Sequence, residues 1–196
     1  MLVFWDQRLV FLATPKTGST AIAAALEPLA ALSVQRPPVL KHTTARRYHR
    51  FIGPYLSAAS GARFTTVALM REPLDWLGSW YRFRRREDIQ DERMRTSEMS
   101  FDAFAQAYCR QPQPGFANVG AQARFLAPDG QPGVDRIFRY EAMDRFVAFL
   151  EDRLDCALVL PTLNVSPEAS VDLAPGTLAA LRRTMAADFA LYGTLD

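Results

Sequence analysis

Leu9-Val10-Phe11-Leu12-Ala13-Thr14-Pro15-Lys16-Thr17-Gly18-Ser19-Thr20 is the stretch on which the fold reading turns. Its first five residues form an apolar run that stops just before Pro15, the pattern of a buried strand feeding a turn. From residue 19 to about residue 32, small and apolar residues recur at helical spacing, with alanines throughout. A tight turn between strand and helix gathers backbone N–H groups at a helix N-terminus, where unsatisfied donors and the macrodipole favour an anion. Gly18 permits close backbone approach, Thr17, Ser19 and Thr20 add hydroxyls, and Lys16 adds charge. A plain connection with Ser19 or Thr20 as N-cap is the alternative. The crowding of Lys16, Thr17, Ser19 and Thr20 around one glycine favours the anion. The Walker pattern does not fit, because it puts lysine after its last glycine, whereas Lys16 precedes Gly18. A P-loop kinase or GTPase is therefore disfavoured.

Working outward, residues 64–70 form a second β-rich run, again followed by a charged turn containing Pro73. Residues 74–86 then read as a helix, with Pro73 suited to its first turn. Residues 134–140 make a third strand with a helix behind it at 142–154, and residues 157–160 a weaker fourth strand. Helices at 101–108, 117–126 and 178–192 complete the pattern. Strands alternating with helices predict an α/β fold with a central, mostly parallel sheet flanked by helices. No repeat or low-complexity linker divides residues 1–196, so one domain is expected, with surface loops at 111–115 and 128–133.

The composition agrees with a globular domain: 196 residues, 49% hydrophobic and 22% charged. A formal net charge of +2 is too small to argue for nucleic acid. Lys16 and Lys41 are the only lysines; every other permanently basic side chain is arginine. Cys109 and Cys156 belong to no CxxC pair and are expected to be reduced. Asp6 and Arg8 interrupt the apolar start, which argues against a signal peptide. Nothing approaches the ~18 consecutive apolar residues of a membrane span. These features predict a cytoplasmic protein without a membrane span; oligomeric state is not legible.

The hexapeptide Pro15–Thr20 resembles the 5′-phosphosulfate loop of sulfotransferases that use 3′-phosphoadenosine-5′-phosphosulfate (PAPS). A second segment, residues 67–81, resembles that family's 3′-phosphate motif, in which a strand ends in Arg-x-Pro and a serine follows on the next helix. Arg71 and Ser79 occupy those positions here. An arginine at the carboxyl end of a strand faces the crevice where doubly wound sheets bind ligands. Its guanidinium can hold a phosphate through two parallel hydrogen bonds. The alternative is that Arg71 pairs with Glu72 or Asp75 while Ser79 merely packs. Weaker similarities to the carbohydrate-type branch run through Gln122, Phe125-Leu126, residues 137–141, Leu163-Asn164-Val165-Ser166, Asp188-Phe189 and Leu191-Tyr192. The glycine-rich C-terminal loop of the phenol and steroid branch is absent.

The resemblance implies a P-loop-like three-layer domain that moves a sulfuryl group from PAPS to a hydroxyl acceptor, a saccharide by branch. 3′-Phosphoadenosine 5′-phosphate would leave as product. Lys16 would meet charge on the leaving phosphate, Pro15 to Thr20 would hold the 5′-phosphosulfate, and Arg71 with Ser79 the 3′-phosphate. No metal is implied, because fixed cations and donors can meet the developing charge. The transfer needs a base near neutral pKa, and a histidine suits it. His42 follows the Pro37-Pro38 turn, opens a helix in this reading, and should lie at the sheet's edge. His49, seven residues on and on the same helical face, is the reserve, with Glu72 behind it. The run Arg82-Phe83-Arg84-Arg85-Arg86 before Glu87, Asp88, Asp91 and Glu92 reads as a solvated mixed-charge face, and as the docking strip where the acceptor is an acidic sugar. Two other functions fit less well: a nucleotide-binding module without catalysis, and a P-loop phosphotransferase, which wants Mg²⁺-binding carboxylates on a strand end.

Overall fold

The computed structural model describes residues 1–130, 133–161 and 169–196. Among them, β1 (Leu2–Phe4), β2 (Leu9–Leu12), β3 (Leu32–Ser33), β4 (Thr65–Met70) and β5 (Arg136–Arg139) form one sheet in the order β3-β1-β2-β4-β5. β2 pairs parallel with β4, and β4 parallel with β5. β1 pairs antiparallel with both β2 and β3. The fold is α/β, and the sheet is mixed rather than mostly parallel.

The strands β2 and β4 are buried on both faces, which is why they read as unbroken apolar runs. Val10, Leu12, Ala68 and Met70 enter one core cluster with Ala45, Tyr48, Leu56 and Phe125. Leu9, Phe11, Val67 and Leu69 point the other way, toward Ile22, Leu26, Phe146 and Leu150. The flanking helices are α1 (Ser19–Leu26), α2 (Pro38–Lys41), α3 (Ala45–Arg47), α4 (Gly53–Ser60), α5 (Pro73–Arg84) and α6 (Phe101–Tyr108). They continue with α7 (Gln122–Leu126), α8 (Met143–Leu154), α9 (Pro175–Thr184) and α10 (Ala186–Gly193). A π-helical turn, Tyr48–Ile52, joins α3 to α4. A third cluster packs α5 against α6 and α9 through Trp76, Tyr81, Phe104 and Leu181.

The structure departs from the sequence expectations at several further points. β1 was unforeseen; it is three residues long and returns to β2 through a turn in which Arg8 takes φ 51°. The helix expected to run to residue 32 ends at Leu26, where a 3₁₀ turn containing Pro28 takes over. Proline lacks the N–H that the next helical bond would need. Leu32 and Ser33 then pair with β1 instead. Residues 157–160 form no strand: Val159 is 88% exposed, and the Leu158 N–H donates to the Glu151 carboxylate rather than to a strand. Finally, residues 117–126 shrink to α7, because Gly120 at φ 81° interrupts them, and the C-terminal helix is split at Met185 into α9 and α10.

Candidate anion-binding site

The loop between β2 and α1 lies at the carboxyl end of the strand third in a sheet of five. Two successive features shape it. Lys16 adopts φ 65° and Gly18 φ 69°, left-handed conformations that cost a non-glycine residue on the order of 1 kcal/mol. A Cβ on Gly18 would stand 3.3 Å from the Tyr140 ring, so the position needs glycine on both counts. Thr17 donates its hydroxyl to the Thr14 carbonyl at 3.0 Å, closing the turn. α1 has no side-chain cap. The backbone N–H groups of Lys16, Thr17, Gly18, Ser19 and Thr20 find no acceptor among the described residues. That is a concentration of unsatisfied donors of the sort anions occupy.

The turn after β4 stands beside it. Arg71 donates from Nη1 to the Lys16 carbonyl at 3.3 Å and from Nε to Asp75 at 2.5 Å, while its guanidinium lies 4.6 Å from the Tyr140 ring centroid. Asp75 also accepts from Arg82 at 3.2 Å. The Arg71–Asp75 pairing entertained from sequence is therefore present, yet it aims the guanidinium at the loop rather than away from it. Trp76 donates its indole N–H to the Pro15 carbonyl at 3.0 Å. The Lys16 ammonium rests 4.3 Å over Phe83 and 5.6 Å from Trp80. Burial, and then the charges of Arg71, Arg86, Arg82 and Arg84, lower the Lys16 pKa to about 8. A cation this crowded by cations is stabilised by an anion. Buried Trp80 Nε1 and Arg84 Nε are two further donors with no partner among the described residues. The 82–86 run is accordingly no simple solvated face: Arg82 and Arg84 turn inward.

Ser79 is buried on α5, two turns beyond Arg71. Gln122, a weak sequence match, grips the Arg71 backbone on both sides, accepting from its N–H at 2.9 Å and donating to its carbonyl at 2.8 Å. Glu141 accepts from the Glu72 N–H at 2.8 Å and from the Tyr192 hydroxyl at 2.8 Å. Residues far apart in sequence thus converge on the β4–α5 turn. Leu163-Asn164-Val165-Ser166 lies outside the described residues.

His42 sits between α2 and α3, not at the start of a helix, and its ring meets the end of the third strand of the sheet, not the edge. Its Nδ1 is 2.7 Å from the Ala13 carbonyl. A carbonyl only accepts, so Nδ1 carries hydrogen and Nε2 is the free lone pair in the neutral ring. Burial holds the His42 pKa below the usual value, with Lys41, the N-terminal amine and Lys16 acting in the same sense and the Ala13 hydrogen bond opposing them. Lys41 bonds Thr20 Oγ1 at 3.1 Å, tying this segment to α1. His49 is not on the same helical face, since α2 ends at Lys41 and Thr43-Thr44 separate His42 from the helical stretch, α3 and the π turn, that holds His49. It bonds the Gly133 carbonyl at 2.7 Å and touches none of the loop residues by hydrogen bond. Glu72 spends its carboxylate capping α5, accepting from the Asp75 N–H at 2.7 Å.

Sequence analysis gives Asp75 only as an alternative partner for Arg71, Arg82 and Phe83 only as part of a charged strip, and Tyr140 only as a weak match; it assigns none of them to the anion site. Asp75 and Arg82 had one available signal: spacings of four and seven along α5 put them on the Arg71 side of the helix. A separate cleft of about 390 Å³, lined by Glu92, Arg95, Thr96, Ser97, Glu98 and Met99, shares no residue with the loop. Among the described residues no helix is long and apolar enough to cross a membrane, and Cys109 and Cys156 are free. No family model matches the chain, and no curated protein or solved structure matches it significantly.

Proposed function

We propose that the chain is a PAPS-dependent sulfotransferase acting on a hydroxyl acceptor, a saccharide by its branch resemblance. The observation that carries this reading is the Arg71–Lys16 contact. It joins two motifs, 55 residues apart, at the carboxyl ends of the neighbouring parallel strands β2 and β4. The residues fit a nucleotide with two separated anionic groups: open N–H groups and Lys16 for one, Arg71 and Ser79 for the other. The same reading places the flanked sheet in the P-loop-like three-layer class.

In this mechanism Pro15 to Thr20 and the α1 N-terminus bind the 5′-phosphosulfate. The acceptor oxygen bonds to sulfur as the bond between sulfur and the 5′-phosphate oxygen breaks. The acceptor's proton passes to His42 Nε2, and 3′-phosphoadenosine 5′-phosphate leaves with the bonding pair. The Ala13 carbonyl fixes the tautomer that makes Nε2 basic, and the lowered pKa keeps the ring neutral at physiological pH. Lys16 stands where charge develops on the leaving phosphate, so its contribution grows along the reaction.

Incubation with ³⁵S-labelled PAPS and a panel of hydroxylated acceptors, saccharides included, tests the reading. Label should move to an acceptor. Nucleotide binding without transfer across the panel would leave a non-catalytic nucleotide-binding module instead, and failure to bind the nucleotide would remove both.

A further inference from the structure

Every charged side chain between Glu27 and Glu72 is basic, in a chain whose net charge is only +2. That segment includes α2, α3, the π turn and α4, and most of the exposed large apolar side chains of the described residues lie in it. Val39 is 53% and Leu40 50% exposed on α2; Phe51 is 62% exposed in the π turn and Tyr55 71% on α4. The two parts are joined, since Arg47 donates to the Val39 carbonyl at 3.3 Å. Arg47, Phe51 and Tyr55 follow at intervals of four along the continuous stretch of α3, the π turn and α4. Arg46 and Arg50 are exposed beside them, and the Arg50 guanidinium lies 5.1 Å from the Phe51 ring. None of the three arginines pairs with a carboxylate among the described residues.

We infer that the face built by Val39, Leu40, Phe51 and Tyr55 with Arg46, Arg47 and Arg50 docks on an anionic lipid bilayer. Large apolar side chains held out of the core, interleaved with unneutralised arginines, are what an interfacial helix presents to a membrane surface. The apolar groups enter the headgroup boundary while the cations meet lipid phosphates. A soluble polyanion would satisfy the arginines but give no reason to expose aliphatic Val39 and Leu40 beside Phe51. The inference does not depend on sulfuryl transfer.

Vesicle flotation with the full chain tests it, using phosphatidylcholine vesicles and vesicles of equal parts phosphatidylcholine and phosphatidylserine. The protein should float with the anionic vesicles and not with phosphatidylcholine alone, and should be released as salt rises. Arg46→Gln/Arg47→Gln/Arg50→Gln should weaken binding by on the order of 100-fold. Phe51→Ser/Tyr55→Ser should weaken it while leaving the salt dependence in place. All five side chains are exposed, so both variants should keep the wild-type circular dichroism and melting point. Equal binding to both vesicle types, or binding that survives both variants, would overturn the proposal. Binding to dextran sulfate with no binding to either vesicle would reassign the face to soluble polyanions. Self-association abolished by Phe51→Ser/Tyr55→Ser, without vesicle binding, would reassign it to a second copy of the chain.

Discussion

Two strand-to-helix turns stand side by side at one end of the sheet, and they treat their helix N-termini in opposite ways. After β4, Glu72 caps α5 with its own carboxylate, and Asp75 adds a second acid in the first turn. After β2, α1 begins at Gly18 with no side-chain cap and no acid in its first turn. The first turn is electrostatically closed, so what it offers a ligand is the Arg71 side chain. The second is open, so it offers backbone. A helix N-terminus left uncapped beside Lys16 and Arg71 lacks the acceptor it would ordinarily have, and the phosphosulfate proposal supplies one.

His42→Ala should break the open turn's chemistry most severely. If Nε2 takes the acceptor proton, turnover should fall by about 10²–10⁴-fold with nucleotide affinity nearly unchanged. In the wild type, the acid limb of kcat/KM, which reports the free enzyme, should lie below the ordinary histidine value, because burial lowers this pKa. A near-normal rate in the mutant would move the role to His49 or Glu72. Weak nucleotide binding in the mutant would make His42 structural.

Lys16→Ala should cost on the order of 3 kcal/mol in the transition state, roughly 10²-fold in kcat, with the fold intact. The wild-type pKa of about 8 has a second consequence. Above it the free protein carries a neutral lysine, so binding an anion there requires proton uptake. Nucleotide affinity should decline as pH rises through 8, and calorimetry in buffers of different ionisation enthalpy should detect the proton taken up. A flat profile, with Lys16→Ala showing the same, would remove lysine from the site.

Glu72→Ala tests the closed turn and should have the smallest effect. Losing the α5 cap should reduce stability by about 1 kcal/mol, read as a shift in urea midpoint. Turnover should change little. A large kinetic loss without destabilisation would show that the carboxylate acts on substrate and not on its own helix.

The open turn was more legible in sequence than the closed one, and for a physical reason. Lys16, Gly18 and the hydroxyls are adjacent in the chain, and the apolar runs of β2 and β4 announce burial on both faces. What surrounds Arg71 comes from elsewhere: Gln122 from α7, Tyr140 and Glu141 from the end of β5, Tyr192 from α10. Only tertiary packing brings those together. The Asp75–Arg82 pair resembles any exposed charged helix until Arg71 is placed against the loop. The antiparallel edge escaped notice because β1 and β3 have three and two residues, too few for alternation to register. His42 caps the end of α2 rather than opening a helix, and the four-residue α2 is too short to register as a period, yet the His42 ring reaches the Ala13 carbonyl beside the loop.

In the proposed function the two turns hold two different phosphates of one nucleotide. Titrating the wild-type protein and Arg71→Ala with 3′-phosphoadenosine 5′-phosphate and with 5′-AMP tests it most directly. The wild type should bind the 3′-phosphorylated ligand much more tightly, and Arg71→Ala should remove most of that preference while retaining 5′-AMP affinity. Equal wild-type affinities for the two ligands would contradict it.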